Sequence, residues 1–387
     1  MRSCKACTTS CRSSILPSSA GQNPGVNTPS GRDLPEHFPS LHEAPSACAR
    51  LALALQKSLE ELGVRRGERL LLAVSGGADS VALASLCALL RERFPLKLGM
   101  LACDHGLRPE SAAEIRFVQA LGELLDIPCE TCALTFPKDG AGIEERARKA
   151  RYAALEEARK RVSARYMVLA HHAKDLAEDI VMRLCRGTGW PGLGGMAQKD
   201  EERHILRPLL FVEPGELRSF LLELGIPHCE DPSNQDTRYL RNRVRHTILP
   251  LLERENPGLP KSLQGLALLA REDAAFFEEQ LAPVLALCRL EENCGTVTMA
   301  LPEKAVKGLA PSLSLRLYLK LVHRMNREGV AGQARSGTLF GIDQALRKAQ
   351  RPRTFQLPGG ISLILTGKEI ILQGKKSGQG TRKTASA

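Results

Sequence analysis

At 387 residues the chain is well beyond the ~100 to 200 of a single domain, and its 43% hydrophobic and 25% charged residues exclude a wholly disordered, fibrous or collagen-like protein. Lys and Arg outnumber Asp and Glu by 54 to 43, a net +11 that points to an anionic partner. From Glu303 onward 16 basic residues face 4 acidic ones, so that end carries +12 and the remainder is close to neutral.

Residues 1–44 are rich in Ser, Pro, Gly and Thr and are expected to form a disordered extension. Their Arg and Ser bear a faint likeness to an organelle transit peptide, and Cys4, Cys7 and Cys11 have no further His or Cys nearby to complete a metal site. From Ala47 a helical stretch leads into the apolar run ERLLLAV, then SGGADS, then another helix. The alternation repeats through KLGMLACD, CETCALTF and RYMVLA, each followed by a helical segment. Strands apolar on both faces that alternate with helices predict an α/β fold whose parallel sheet is covered on both sides. We place this catalytic domain at 45–225, a linker with an Arg-rich helix at 226–256, and a mainly helical domain at 257–373. That domain closes with FQLPGGISLILTGKEIILQ, two β-like runs around a Gly-Lys turn, ahead of a disordered tail over 374–387. No apolar run approaches the ~18 to 20 residues of a membrane helix and no secretory signal is evident, so a soluble, cytoplasmic protein is expected. The 12 cysteines are scattered, mostly in apolar runs such as those of Cys87, Cys103, Cys185 and Cys288, and no disulfide is inferred.

Chemistry concentrates first at Ser75, Gly76, Gly77, Ala78, Asp79 and Ser80, where a strand passes into a helix. Backbone N–H groups and the positive helix end can hold a phosphate there, and the two glycines let the backbone approach it closely. Asp79 is placed to hold Mg²⁺ beside that phosphate. The same residues also fit an ordinary turn capped by Ser80 or Asp79. The loop matches neither the P-loop nor the dinucleotide glycine pattern.

The pattern S-G-G-x-D-S resembles the pyrophosphate loop of the N-type ATP pyrophosphatases. CDHGLRPES, IEERARKARYAAL, AHHAKDLAED, RLCRGTGWPGLGGM, ILRPLL and EDPSNQDTRYLRNRVR follow in the order found in tRNA(Ile)-lysidine synthetases, together spanning about 70–252. The resemblance implies a five-stranded parallel Rossmann-like sheet of the adenine nucleotide α-hydrolase type with a mostly helical second domain. It also implies an enzyme that uses ATP and Mg²⁺ to adenylate C2 of the wobble cytidine in a tRNA(Ile) with a CAU anticodon. Free L-lysine then displaces AMP to form lysidine, so the codon read changes from AUG to AUA.

Within that likeness Asp79, Arg151, Asp175 and Glu178 carry the catalytic expectation. Glu145, Arg148 and Arg151 recur at i, i+3 and i+6, a spacing that also suits a solvated face; the resemblance turns Arg151 toward the nucleotide or the extruded base. Asp175 and Glu178, at i and i+3, can point to one spot, and the resemblance assigns that spot to the lysine substrate. Arg238, Arg241, Arg243 and Arg245, around Asn242, are candidates for tRNA phosphate or the mouth of the site. His171 and His172 look like half of a zinc site that nothing nearby completes. The chain departs from the family pattern H-H-x-D-D-Q-x-E-T with Lys174, Leu176 and Asp179 at the first Asp, the Gln and the Thr. Cys129 and Cys132 form a lone C-x-x-C in the folded region, which weighs against a related tRNA thiolase; a catalytically altered RNA-binding member is the other alternative. A homodimer is left open.

Overall fold

The computed structural model describes residues 28–104, 106, 111–137, 142–230, 239–348 and 353–376. Cys4, Cys7, Cys11 and Arg238 lie outside them. The described residues group into two compact units, one reaching to Asp175 and including Gln198–Pro250, the other made of Leu176–Ala197 and the chain from Leu251 on.

The first unit contains α1 (Ser46–Glu61), β1 (Arg69–Ala73), α2 (Ala78–Leu89), β2 (Lys97–Asp104), α3 (Ser111–Leu124), β3 (Cys129–Ala133), α4 (Ile143–Arg161) and β4 (Tyr166–Val168). Next come the start of α5 (Ala173–Cys185), β5 (Lys199–Asp200), β6 (Ile205–Leu206), α6 (Pro214–Glu223) and α7 (Leu240–Arg243). The sheet order is β3-β2-β1-β4-β6-β5. Five strands are parallel as expected, and a short sixth, β5, runs antiparallel to β6 with Lys199 opposite Leu206. Alternate side chains of β1 point to opposite faces: Leu70 and Leu72 join one apolar cluster with Val81, Leu83 and Leu86 of α2, and Leu71 joins another with Leu155 of α4 and Met167 of β4. All three leucines are buried, each worth roughly 2 kcal/mol over an exposed one. From β1 the chain builds outward through β2 and β3, then returns to place β4 on the other side of β1. That reversal is a topological switch point, where open α/β sheets form a crevice at the carboxyl ends of their strands.

The extension expected to lie outside the fold is in part built into it. A 3₁₀ turn at Gly31–Asp33 rests on α3, so closely that a Cβ on Gly31 would meet Ala120 Cβ at 2.8 Å. Leu34, Phe38 and Leu41 pack on the first apolar cluster. Three apolar residues spaced by polar ones are enough to dock a segment whose composition is otherwise that of a tail.

The second unit takes in the later turns of α5 and a 3₁₀ turn at Gly192–Gly194, although the expected boundary lay near 225. The cause is a close approach: a Cβ on Gly194 would stand 2.3 Å from Ala270 Cβ on α9 (Leu259–Ala286), which follows α8 (Leu249–Glu255). Trp190 Nε1 donates to Asp273 Oδ2 at 2.6 Å on the same helix. Beyond α9 come β7 (Arg289–Asn293), β8 (Thr296–Pro302), α10 (Glu303–Lys307), α11 (Pro311–Arg327), α12 (Ser336–Arg347), β9 (Arg353–Leu357), β10 (Ile361–Leu365) and β11 (Glu369–Lys375). The expected closing hairpin is thus part of a five-stranded antiparallel sheet, β7-β8-β11-β10-β9, and the supposed tail begins inside β11. Leu317, Leu321 and Met325 of α11 pack with Val297, Met299 and Leu301 of β8. No helix among the described residues is long and apolar enough to cross a membrane.

Candidate active site

A cleft of about 600 Å³ opens at the carboxyl ends of β1, β2 and β4. Its floor includes Ser75, Gly77, Asp79 and Ser80. The Ser75 N–H donates to Ser80 Oγ at 3.1 Å, and that hydroxyl donates to the Gly77 carbonyl at 2.9 Å, closing the loop on itself. Gly76 adopts φ +86°, and the Cys229 N–H donates to its carbonyl at 2.9 Å, tying the loop to a segment beyond α6. Gly77 is the N-cap of α2 and supplies no side-chain cap. The helix therefore presents its N-terminal N–H groups and positive end to the cleft, the arrangement that binds phosphate.

Asp79, in the first turn of α2, is half-exposed and lines the cleft. Its Oδ2 lies 3.4 Å from His172 Nε2, and the same nitrogen lies 3.5 Å from Asp175 Oδ2. His172 Nδ1 accepts the Asp175 N–H at 3.4 Å, which leaves the ring proton on Nε2, between the two carboxylates. Asp175 is buried; its Oδ2 accepts the His172 N–H at 3.1 Å, and its Oδ1 accepts from Arg241 and, at 3.3 Å, from Arg245. Burial alone would raise the Asp175 carboxyl, but His172, Arg241, His171 and the His172 N–H together hold it below the ordinary carboxylate range. Arg241 and Arg245 stand four residues apart, so one helical face carries both into the cleft, while Arg243 between them is exposed to solvent. The expected tRNA-facing row thus divides, and its inward members hold Asp175.

Arg148, Arg151 and Tyr152 of α4 form another wall. Arg151 has its guanidinium carbon 5.9 Å from the Tyr152 ring centre and no carboxylate partner among the described residues. Burial pulls its guanidinium below its usual range, Tyr152 opposes that, and Arg148 reinforces it. A half-buried cation with no acid beside it is a ready counter-charge for an anion in the cleft. Ala102, Cys103, Ile115 and Val118 give the cleft an apolar flank, where burial pushes the Cys103 thiol up to about 11.

The carboxylates Asp175 and Glu178 do not converge on the cleft as expected. Asp175 lines it, whereas Glu178, one turn on in α5, is fully buried and does not. The departures from the family pattern have local partners. Leu176 is fully buried, where a Cβ on Gly195 would approach its Cδ1 to 2.8 Å, and Asp179 pairs with Arg183 at 2.8 Å. Lys174 does not line the cleft. Cys129 and Cys132, three apart on β3, point to opposite faces of the sheet and are both free thiols. Sequence reasoning weighed His172 only as half of a zinc site and passed over Arg207, Glu114 and Tyr239. For Arg207 the signal was present: a lone arginine inside the apolar run ILRPLL has to find a buried partner.

A phosphate-holding loop at a sheet switch point, with an aspartate in the first turn of the following helix, defines a nucleotide-binding PP-loop domain, and the PP-loop family model matches residues 49–252. ATP is the nucleotide such a domain uses. The tRNA(Ile)-lysidine synthase of Nitratidesulfovibrio vulgaris is 40% identical over 319 residues, covering 78% of this chain and 91% of that one. Its counterpart in Rhodopseudomonas palustris is 36% identical over 318 residues, covering 78% and 89%. This chain belongs to the tRNA(Ile)-lysidine synthase family. Among solved structures, the U34-tRNA thiolase NcsA of Methanococcus maripaludis aligns with TM-score 0.49 at 17% identity, covering 58% of this chain and 80% of that one.

Proposed function

We propose that the protein joins L-lysine to C2 of the wobble cytidine in a tRNA(Ile) bearing the CAU anticodon, converting ATP to AMP and pyrophosphate. The observation that carries this reading is the cleft itself, in which a phosphate loop, Arg151 with no carboxylate partner among the described residues, and the paired Asp175 face one space of about 600 Å³. The cytidine O2 attacks the α-phosphorus and pyrophosphate leaves toward Ser75–Ser80, whose backbone and helix end favour the anion. Arg151, with Arg148, offsets charge that develops on the α-phosphate. The apolar flank of Ala102, Ile115 and Val118 suits the adenine ring. Asp79 fits a divalent cation, because its carboxylate opens on the cleft beside the phosphate loop and only one of its oxygens faces His172. Mg²⁺ held there would neutralise phosphate charge.

In the second half the lysine ε-amine attacks C2, the C2–O bond to AMP breaks, and the amine loses a proton. Asp175 and Glu178 are the carboxylates proposed for the ammonium, and Asp175 is the one open to the cleft. Its Oδ1 is already shared by two guanidiniums, so lysine must enter by displacing or joining Arg241 or Arg245. Arg243, exposed beside them, and Arg238, five positions earlier in the sequence, are the arginines proposed for tRNA phosphate.

The test is incubation of the protein with ATP, labelled lysine and unmodified tRNA(Ile) with the CAU anticodon. Label should enter that tRNA with one pyrophosphate released per lysine. Pyrophosphate release without lysine transfer sinks the lysine assignment, and the absence of both sinks the enzymatic reading.

A further inference from the structure

We propose that Arg207 is a positioning residue that fixes His171 as a neutral hydrogen-bond donor, with its ring proton on Nε2 and facing the cleft. Arg207 follows β6, is buried at 6% exposure, and sends its own backbone N–H to the Gln198 carbonyl at 2.7 Å. Its Nε donates to His171 Nδ1 at 3.2 Å. A guanidinium only donates, so Nδ1 must be the bare, accepting nitrogen, and the proton of a neutral ring then sits on Nε2. An imidazolium would set two N–H donors against each other across that contact. His171 lines the cleft and its Nε2 finds no protein partner among the described residues.

The charged groups around the ring point the same way. Arg207, Arg241 of α7 and Arg151 of α4 oppose a positive ring, while Asp175 of α5 favours one. With burial as the largest effect, the balance drives His171 down to about 3. His171 is therefore unavailable as a base on either nitrogen at neutral pH: Nδ1 is occupied and Nε2 is already protonated. It can only donate, to a phosphate oxygen or to the pyrimidine carbonyl. This role rests on the proposed reaction, but the protonation state does not.

The experiment is ¹⁵N NMR of histidine-labelled full-length protein between pH 5 and 9, with His171 assigned by its loss in His171→Gln. The expected result is a ring that does not titrate, with a pyrrole-type Nε2 and a pyridine-type Nδ1. A His171 that titrates in this range, or carries its proton on Nδ1, overturns the proposal whatever the enzyme's substrate. In Arg207→Gln the fixed tautomer should be lost, so that the ¹⁵N shifts of Nδ1 and Nε2 of His171 move toward a common averaged value. A merely structural arginine would lower kcat/KM and leave the NMR signature unchanged. Arg207→Lys, which keeps a cationic donor, should retain the tautomer; if it behaves like the Gln variant while remaining folded, the donor contact is not what fixes the ring.

Discussion

The two glycines of the phosphate loop should fail in different ways. Gly76 sits at φ +86°, a conformation that costs an L-residue roughly 1 to 2 kcal/mol. A Cβ there would lie 3.2 Å from Cys229 Sγ, which must give by a few tenths of an ångström, and 3.4 Å from Val118 Cγ2, an ordinary contact. Gly76→Ala should therefore destabilise the first unit by about 2 kcal/mol, lowering its urea midpoint by on the order of 0.5 to 1 M. Gly77 has φ −71° and its nearest neighbour, Ser75 Oγ, at 3.7 Å, so Gly77→Ala meets neither strain nor a clash. Gly77 does line the cleft, and a methyl group there stands where a phosphate must approach. Its urea midpoint should stay within about 0.2 M of wild type while the KM for ATP rises tenfold or more, about 1.4 kcal/mol of lost binding. Urea unfolding followed by tryptophan-independent circular dichroism, together with initial rates of pyrophosphate release, measures both. If Gly76→Ala is as stable as wild type, or Gly77→Ala binds ATP normally, the account of the loop is wrong.

Asp79→Ala should abolish tRNA-dependent pyrophosphate release while changing tRNA affinity less than about threefold; an equal loss of both would count against a metal-holding role. Because Asp175 is held below its ordinary value of 3.8 in the folded protein, its stabilising contribution is present above that pH and is lost as pH falls below it. The melting-temperature gap between wild type and Asp175→Asn should accordingly shrink from pH 7 to pH 3, and a constant gap would refute the ion-pair reading. The +12 from Glu303 onward predicts tRNA binding that weakens steeply with salt, with a log–log slope of about −0.7 per phosphate contact. A salt-independent affinity would leave the basic end as a solubilising surface only.

The first unit was legible because its strands are apolar on both faces and its loops carry unusual residues. RLLLA can only be a buried strand when helices cover it on both sides, and SGGADS pairs a glycine in a left-handed turn, Gly76, with one that leaves room for close approach, Gly77. The second sheet was hidden for the opposite reason. RLEEN of β7 is exposed at every position, so it shows no alternation, and its hairpin turns on Cys294 (φ +48°) and Gly295 (φ +73°) without an Asn-Gly or Asp-Gly signal. In the site, the residues on the loop and helix motifs were found, but their pairing was not. Nothing in the spacing of Asp175, Arg241 and Arg245 tells that 66 and 70 residues of chain fold back to join them. Likewise the buried partner of Arg207 is a histidine 36 positions earlier, a contact set by the order of strands rather than by any local pattern.

The tie between Gly76 and Cys229 has a bearing on how the protein comes into being at the ribosome. The loop is translated about 150 residues before the segment that pins it, so over that stretch of synthesis the Gly76 carbonyl has no such donor to hold its left-handed turn. At ~5 to 20 residues per second that interval lasts on the order of ten seconds or more, and for its first part the emerging sheet lacks β4 and β6 as well. A nascent chain stalled before Cys229 should thus bind nucleotide poorly even with every loop residue in place. Competence would arrive late and all at once, when the far end of the first unit closes on its beginning.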